Sequence, residues 1–178
     1  MKTLRTAVPL LALAALAAAG CFLLSGQFVV NYALPDPLHV LSGTTLTAVD
    51  VDLNTISEYK DHKDDLKRVD DVALIGDFHN NAGSSVNIQA WLVPAGTLNL
   101  TPSQVTANGV LLWGPLTVAG NVTQHVDWNG SAQLFKGRQT LIDEVKGDGR
   151  FSLYVLASGT FDLTVTKGAV IAVIGAAK

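Results

Sequence analysis

The chain alternates short apolar runs with turn residues, and this spacing constrains its fold more than any other feature. Within residues 72–79, Val72, Leu74 and Phe78 fall on one face of an extended segment, and residues 85–92 repeat the alternation after a turn at 80–84. A period of two is typical of strands with one buried face. Many such runs, separated by Gly, Asn, Asp, Ser and Pro, predict an all-β sandwich or barrel.

Other segments follow the same pattern. Further strands are predicted at 28–34, 44–53, 109–113, 116–119, 122–128, 151–156, 161–165 and 169–174. The turn at 80–84 predicts a hairpin between the strands that flank it. Residues 169–174 are apolar at every position, which predicts a central strand buried on both faces. We therefore expect an immunoglobulin-like or jelly-roll-like β-sandwich of about eight to ten strands.

Two or three short helices are expected to interrupt the strands. Residues 54–69 place apolar side chains on one stripe among charges, which predicts an amphipathic surface helix. Thr101-Pro102-Ser103-Gln104 has the sequence of a capping box with proline at the first helical position. Residues 131–146 predict a third helix, with Gly137 as its weak point.

The first residues have the layout of a secretory signal. Lys2 and Arg5 precede an apolar run at 7–19, and small residues precede Cys21. The segment Leu-Ala-Ala-Ala-Gly-Cys at 16–21 resembles the lipobox of bacterial lipoprotein precursors. This resemblance implies cleavage before Cys21 and attachment of diacylglycerol to its thiol. Two acyl chains are enough for stable anchoring to a membrane, where a single chain is marginal.

The lipoprotein interpretation divides the chain into a signal peptide at 1–20, a membrane-proximal segment at 21–30 and an exported domain at 31–178. An uncleaved transmembrane anchor at 7–26 is an alternative, because that stretch is also long enough to span a bilayer. A second alternative is a signal peptide that is cleaved without leaving a membrane anchor. Both anchored interpretations place the body of the protein on the extracytoplasmic side of the cell envelope. Phe22, rather than aspartate, follows Cys21, which favours the outer membrane over the inner one.

Charge and cysteine content narrow the range of partners. Loss of Lys2 and Arg5 with the leader reduces the 12 basic side chains to 10 against 15 acidic ones, a net charge of −5. Nucleic acids are bound through basic side chains that neutralise phosphates, so we expect no nucleic-acid partner. Because Cys21 is the single cysteine, the body has no internal disulfide and must be stabilised by packing.

Chemical motifs are few. Asp50, Asp52 and Asn54 place oxygen atoms at alternate positions, as the start of an EF-hand calcium loop does, but Thr55 stands where that loop needs glycine. The simpler interpretation is that these acidic residues lie on the solvent-exposed face of a strand. The four histidines show no paired metal-binding spacing, and the sequence has no phosphate-binding, dinucleotide-binding or nucleophile-elbow motif. We therefore predict no cofactor and no enzymatic activity.

The tryptophans give the remaining candidate site. Trp91 falls on the polar phase of its strand and Trp128 lies beside the Asn129-Gly130 turn, where exposed rings stack on sugars. The leading hypothesis is a membrane-anchored lipoprotein that acts as a binding or structural component through protein–protein contacts, for example at a sheet edge. The alternative is a module that binds peptidoglycan or exopolysaccharide through Trp91 and Trp128, and a third is an envelope hydrolase.

Overall fold

The computed structural model describes residues 25–42, 46, 48–94 and 99–177. The predicted leader and Cys21 lie outside these residues, as does all but the end of the alternative anchor at 7–26. The described residues form nine strands: β1 (Ser25–Ala33), β2 (Leu38–Leu41), β3 (Ala48–Asp52), β4 (Leu66–Asn80), β5 (Val86–Pro94), β6 (Val110–Val118), β7 (Thr123–Val126), β8 (Arg150–Ala157) and β9 (Asp162–Ala177).

These strands build an all-β sandwich of two antiparallel sheets. The five-stranded sheet has the order β1-β9-β4-β7, with β2 also pairing with β9, and the four-stranded sheet has the order β3-β8-β5-β6. β1 begins at Ser25, so the five-stranded sheet includes residues that the sequence assigned to the membrane-proximal segment.

The strand order is that of a jelly roll. β2 pairs with β9, β3 with β8, β4 with β7 and β5 with β6, so the chain runs as one long ribbon of paired strands. The ribbon wraps around itself until β4 also pairs with β9 and β5 with β8. Of the two sandwich classes expected from the sequence, this wrapped ribbon belongs to the jelly-roll class. β1 is an additional edge strand beside β9.

The core lies between the two sheets. Val72, Leu74 and Phe78 point into it from β4, as the sequence predicts, and Ile88 and Leu92 point into it from β5. The Trp113 side chain, only 1% exposed, stacks on Phe78 with ring centroids 5.5 Å apart. Such offset aromatic pairs add to the stabilisation gained from burying their surface.

The predicted hairpin at 80–84 is wrong. β4 and β5 lie in different sheets, so this turn is a corner between the layers. Asn80 explains the corner: its fully buried side-chain amide donates to Ser84 O at 2.8 Å and Val118 O at 3.2 Å. Its Oδ1 accepts from Ala82 N. A side chain that bonds locally to the backbone replaces the strand ladder here.

The predicted helix at 54–69 is also wrong. Its residues form a 3-10 turn at Leu53–Thr55, the short helix α1 (Ser57–Lys60), a second 3-10 turn at Lys63–Asp65 and then the start of β4. Pairing with β9 begins at Leu66. Tertiary pairing therefore outweighs the local helical pattern.

Three other helices follow. α2 (Pro102–Asn108) has the predicted capping box at Thr101 and Gln104. The predicted helix at 131–146 is two helices, α3 (Trp128–Leu134) and α4 (Arg138–Lys146), separated at Gly137. A Cβ at Gly137 would lie 2.8 Å from Leu111 O, so the close approach of β6 requires glycine there.

Two predicted strand breaks are absent. The segments predicted at 161–165 and 169–174 merge into the single strand β9, which begins at Asp162. Those predicted at 109–113 and 116–119 merge into β6, Val110–Val118. β6 continues through Gly114, where φ is +105° and the register with β5 shifts. Glycine adopts this backbone conformation without the steric cost that other residues incur.

Candidate functional site

The outer faces of the two sheets differ. A second, smaller cluster of apolar side chains packs against the four-stranded sheet and includes one residue of α2. Its members are Leu46, Val93, Leu100, Val105 and Tyr154. In the five-stranded sheet, the outward-pointing side chains of β1, β9 and the first half of β4 belong to neither core cluster. The outer face of the five-stranded sheet is therefore a candidate binding surface.

We define the apolar face as Val29, Ile75, Ile171 and Val173. Val29 pairs directly with Val173 across β1 and β9. Ile171 pairs with Ala73, and Ile75 pairs with Ala169, so the two isoleucines are diagonal neighbours on the same side of the sheet. Val29 is 56% exposed, and the other three are half-buried. The sequence predicted 169–174 as buried on both sides, whereas only Val170, Ala172 and Ile174 join the main core.

The other half of the same outer face is polar. Beyond the register shift at Ile75–Asp77, Asp77 Oδ1 lies 2.6 Å from His125 Nδ1 and Asp77 Oδ2 lies 3.0 Å from Lys167 Nζ. The hydrogen bond with His125, followed by that with Lys167, holds the pKa of the Asp77 carboxyl below its usual value. In the next row, His79 Nδ1 lies 2.9 Å from Thr123 Oγ1.

The free edge of β1 is the second candidate surface. β1 pairs with β9 over nine residues without a register shift, and no second strand of the described residues pairs with its other side. α1 contacts β1, and the Phe28 ring lies 4.9 Å from that of His62, but neither adds a strand to this edge. Its sequence, SGQFVVNYA, has no charged residue and no proline. Edge strands usually carry such residues or a bulge, which discourage pairing with another chain. β1 therefore has the features of an edge that can accept a strand.

The unpaired part of β4 is protected in a different way. α3 and α4 both pack on β4, and the buried Ser131 hydroxyl of α3 accepts from Leu74 N at 2.9 Å. The same oxygen accepts from Trp113 Nε1 at 3.2 Å. Arg138 of α4 forms an ion pair with Asp71. This edge is closed by the chain's own helices, so it is not a candidate.

The three residues of the calcium hypothesis have partners within the chain. Asp50 Oδ1 accepts from the Ser152 hydroxyl. Asp52 caps the following 3-10 turn by accepting from Asn54 N, and its other oxygen lies 3.1 Å from Arg150. The hydrogen bond from the Asn54 side chain, more than any other contact, lowers the pKa of Asp52.

A lysine side chain occupies the position next to Asn54. Lys63 Nζ donates to Asn54 Oδ1 at 3.1 Å and to Asp148 O at 2.9 Å. The structure thus brings Asp52 and Asn54 together around Arg150 and Lys63, and directs Asp50 to Ser152. Among the described residues, no three His, Cys, Asp or Glu side chains are grouped to hold a metal ion.

The two candidate tryptophans lie on different elements. Trp91 is half-buried on β5 at the rim of the second apolar cluster, and its Nε1 donates to Gln89 Oε1 at 3.3 Å. Trp128 is the half-buried first residue of α3, which packs on β4, β6 and β7. The structure does not bring the two rings together, so a sugar would meet them separately.

A small cavity lies between the sheets. Its volume is about 40 Å³, and its lining is almost entirely apolar, with Leu38, Val155 and Trp113 among the residues. A cavity that holds benzene has a volume of about 150 Å³. This cavity is therefore too small for a sugar ring or an acyl chain.

The candidate surfaces were missed by sequence reasoning for different reasons. The exposed edge of β1 depends on which strands become neighbours, which only the topology reveals. A signal for the apolar face was present, because residues 169–174 are apolar at outward as well as inward positions. Within the described residues no helix is long and apolar enough to cross a membrane.

The chain matches no protein-family model, no curated protein and no solved structure.

Proposed function

We propose that this protein is a lipid-anchored component of the bacterial cell envelope that binds a protein partner by strand addition at β1. The observation that supports this proposal is the nine-residue, uncharged and unshifted edge of β1. Strand addition satisfies the free backbone groups of such an edge and gives affinity through main-chain hydrogen bonds. The role is binding or structural rather than catalytic.

The anchor in this proposal is Cys21. Its leader and the small residues before it support export and lipidation, and the extracytoplasmic face of the outer or inner membrane is then the location, with the outer membrane favoured. Intact mass of the protein extracted from cells tests this part. We expect a chain that begins at Cys21 and carries diacylglycerol, whereas a full-length unmodified chain would contradict it.

A charge introduced on β1 tests the binding part. Asn31 is exposed on β1, and Asn31→Lys places a charge on the edge strand, which opposes strand addition. Gln124→Lys is the matched control, because Gln124 is exposed on β7 at the opposite edge of the same sheet. Tagged full-length variants are crosslinked in intact cells and purified in detergent.

We expect the wild type and Gln124→Lys to retain one stoichiometric protein partner. Asn31→Lys should retain roughly tenfold less, which corresponds to a loss of about 1.4 kcal/mol in binding. Equal retention by both variants would rule out β1 as the docking edge. Retention of glycan without any protein would replace the proposal by the carbohydrate-binding alternative.

A further inference from the structure

We infer that the apolar face, Val29, Ile75, Ile171 and Val173, lies against the lipid surface of the membrane that holds Cys21. This inference rests on the proposed lipid anchor and adds an orientation: the five-stranded sheet faces the bilayer and the four-stranded sheet faces away. The anchor alone would permit any orientation of the domain.

The first support is the unpartnered state of this face. Its four large side chains belong to neither apolar cluster of the sandwich, and Val29 is more than half exposed. The four-stranded sheet, by contrast, has a cluster that includes Val105 of α2 against its outer side. Apolar side chains that stay partly exposed together on one face are typical of surfaces that meet a protein or a membrane.

The second support is the length of chain between the anchor and the sheet. Only residues 22–24 separate Cys21 from Ser25, the first residue of β1. Four residue steps span at most about 14 Å when fully extended. The headgroup region of one leaflet is itself roughly 5–8 Å thick. The start of β1 is therefore held close to the lipid surface.

The connecting residues favour the same orientation. Phe22, Leu23 and Leu24 are apolar, so they have no reason to carry the domain away from the interface. Val29 lies on β1, the strand that this connection enters, and its side chain belongs to the apolar face. A short apolar connection thus leads directly to the edge of the apolar face.

Charge near this face is compatible with phospholipid. Asp70 is paired with Arg68 and also accepts from Gln27 Nε2, while Asp71 is paired with Arg138. Each carboxylate is thus offset by a guanidinium, which reduces its repulsion from lipid phosphates. The expected net charge of −5 gives no polybasic attraction, so contact depends on the apolar side chains and the anchor.

Depth-dependent quenching tests the orientation. In the lipidated mature protein the sulfur of Cys21 is a thioether, so a cysteine introduced at Val29 is the only free thiol. The Val29→Cys protein, labelled with an environment-sensitive fluorophore, is reconstituted into phosphatidylcholine vesicles with brominated acyl chains. Val110→Cys is the control, because Val110 is 42% exposed on β6 of the opposite sheet.

We expect quenching at position 29 to be at least about twofold stronger than at position 110, with a blue-shifted emission, as for side chains inserted at the interface. Equal quenching at both positions on vesicles that carry the protein would overturn the inference and leave the anchor intact. Failure of the protein to float with the vesicles would overturn the proposed anchor and the inference with it. Efficient bismaleimide crosslinking between two copies at position 29 would assign the face to a second copy.

Discussion

At the scale of single residues, the buried polar side chains determine how the layers join. Asn80 and Ser131 are fully buried. Asn80 bonds to the corner at Ser84 and to β6, and Ser131 bonds to β4 and β6. The sequence did not reveal either role: Asn80 fitted an ordinary turn, and Ser131 began a predicted helix. Their functions depend on neighbours that are distant in the chain, such as Val118 for Asn80 and Leu74 for Ser131.

Ser131→Ala should destabilise the protein strongly. The substitution leaves Leu74 N and Trp113 Nε1 without their buried acceptor, and each unsatisfied donor costs about 1–3 kcal/mol. We expect a loss of about 2–4 kcal/mol in the free energy of unfolding, measured by urea denaturation. Ser85→Ala, at an exposed position, is the control and should change it by less than about 0.5 kcal/mol. Equal losses would show that Ser131 is not the acceptor.

Gly149→Ala and Gly159→Ala separate backbone strain from steric overlap. Both glycines have positive φ, +74° and +80°. A Cβ at Gly149 would lie 2.5 Å from the Tyr59 hydroxyl, whereas one at Gly159 meets no atom within 4 Å. Gly159→Ala should cost about 1–2 kcal/mol, and Gly149→Ala at least about 1–3 kcal/mol more.

Urea denaturation also measures the free energy of unfolding of these two variants. Tyr59 cannot easily move, because its buried hydroxyl donates to Val145 O at 2.7 Å. Burial raises the pKa of this hydroxyl to about 12, so it remains a donor at neutral pH. Equal destabilisation by the two variants would show that Tyr59 yields to the added methyl group.

Asp77→Asn should change the dependence of stability on pH. Because His125 and Lys167 lower the pKa of Asp77 from its usual 3.8, the ionised carboxylate stabilises the folded state above that value. The contribution is lost as pH falls through the lowered pKa. The wild type should therefore exceed Asp77→Asn in unfolding free energy near neutral pH, and the difference should shrink as pH falls below 3.8.

Urea denaturation at several pH values measures this difference. The exposed Asp61 provides the control, since Asp61→Asn should leave the wild-type profile unchanged. A constant gap between the wild type and Asp77→Asn across the whole range would contradict the assigned ion pairs.

At the scale of elements, the sequence predicted a helix or strand correctly where the residues that determine it lie within one short segment. The capping box of α2 depends only on Thr101 and Gln104, which bond to each other's backbone groups. The alternation in β5 correctly identified Val86, Ile88 and Leu92 as buried. The charged segment after β3 was mispredicted, because Leu66 and the residues after it pair with β9, about a hundred residues away.

Thr101→Ala tests the locally determined element. The substitution removes the side-chain acceptor for Gln104 N, and loss of such a cap costs about 1 kcal/mol. Because the lost cap acts on α2, we expect faster amide exchange in residues 102–108. β9 lies in the other sheet, whereas α2 contributes Val105 to the cluster against the four-stranded sheet, so exchange in β9 should not change. Thr101→Ser, which keeps the hydroxyl, should restore protection.

At the scale of the whole molecule, composition and periodicity predicted the sandwich but not its exposed surfaces. The jelly-roll order places β9 in the centre of one sheet and leaves β1 at its edge. Neither fact follows from the pattern of β1 itself, which resembles that of any half-buried strand. The free edge of β1 therefore could not be predicted from the sequence, whereas the prediction of a leader and of lipidation at Cys21 rests on the sequence alone.

The two proposals describe one arrangement. In it, a short connection would hold β1 near the membrane with the apolar face toward lipid, and the free edge of β1 would stay accessible along the membrane surface. A partner strand would then be added beside a membrane that already fixes the direction of β1.

Hydrogen exchange of the captured complex tests the central claim most directly. Amide exchange is measured by mass spectrometry for the free protein and for the complex with its crosslink-identified partner. Strand addition predicts slower exchange in β1, Ser25–Ala33, with no change in β7, Thr123–Val126, at the opposite edge. Unchanged exchange in β1 together with new protection elsewhere would contradict binding at this edge.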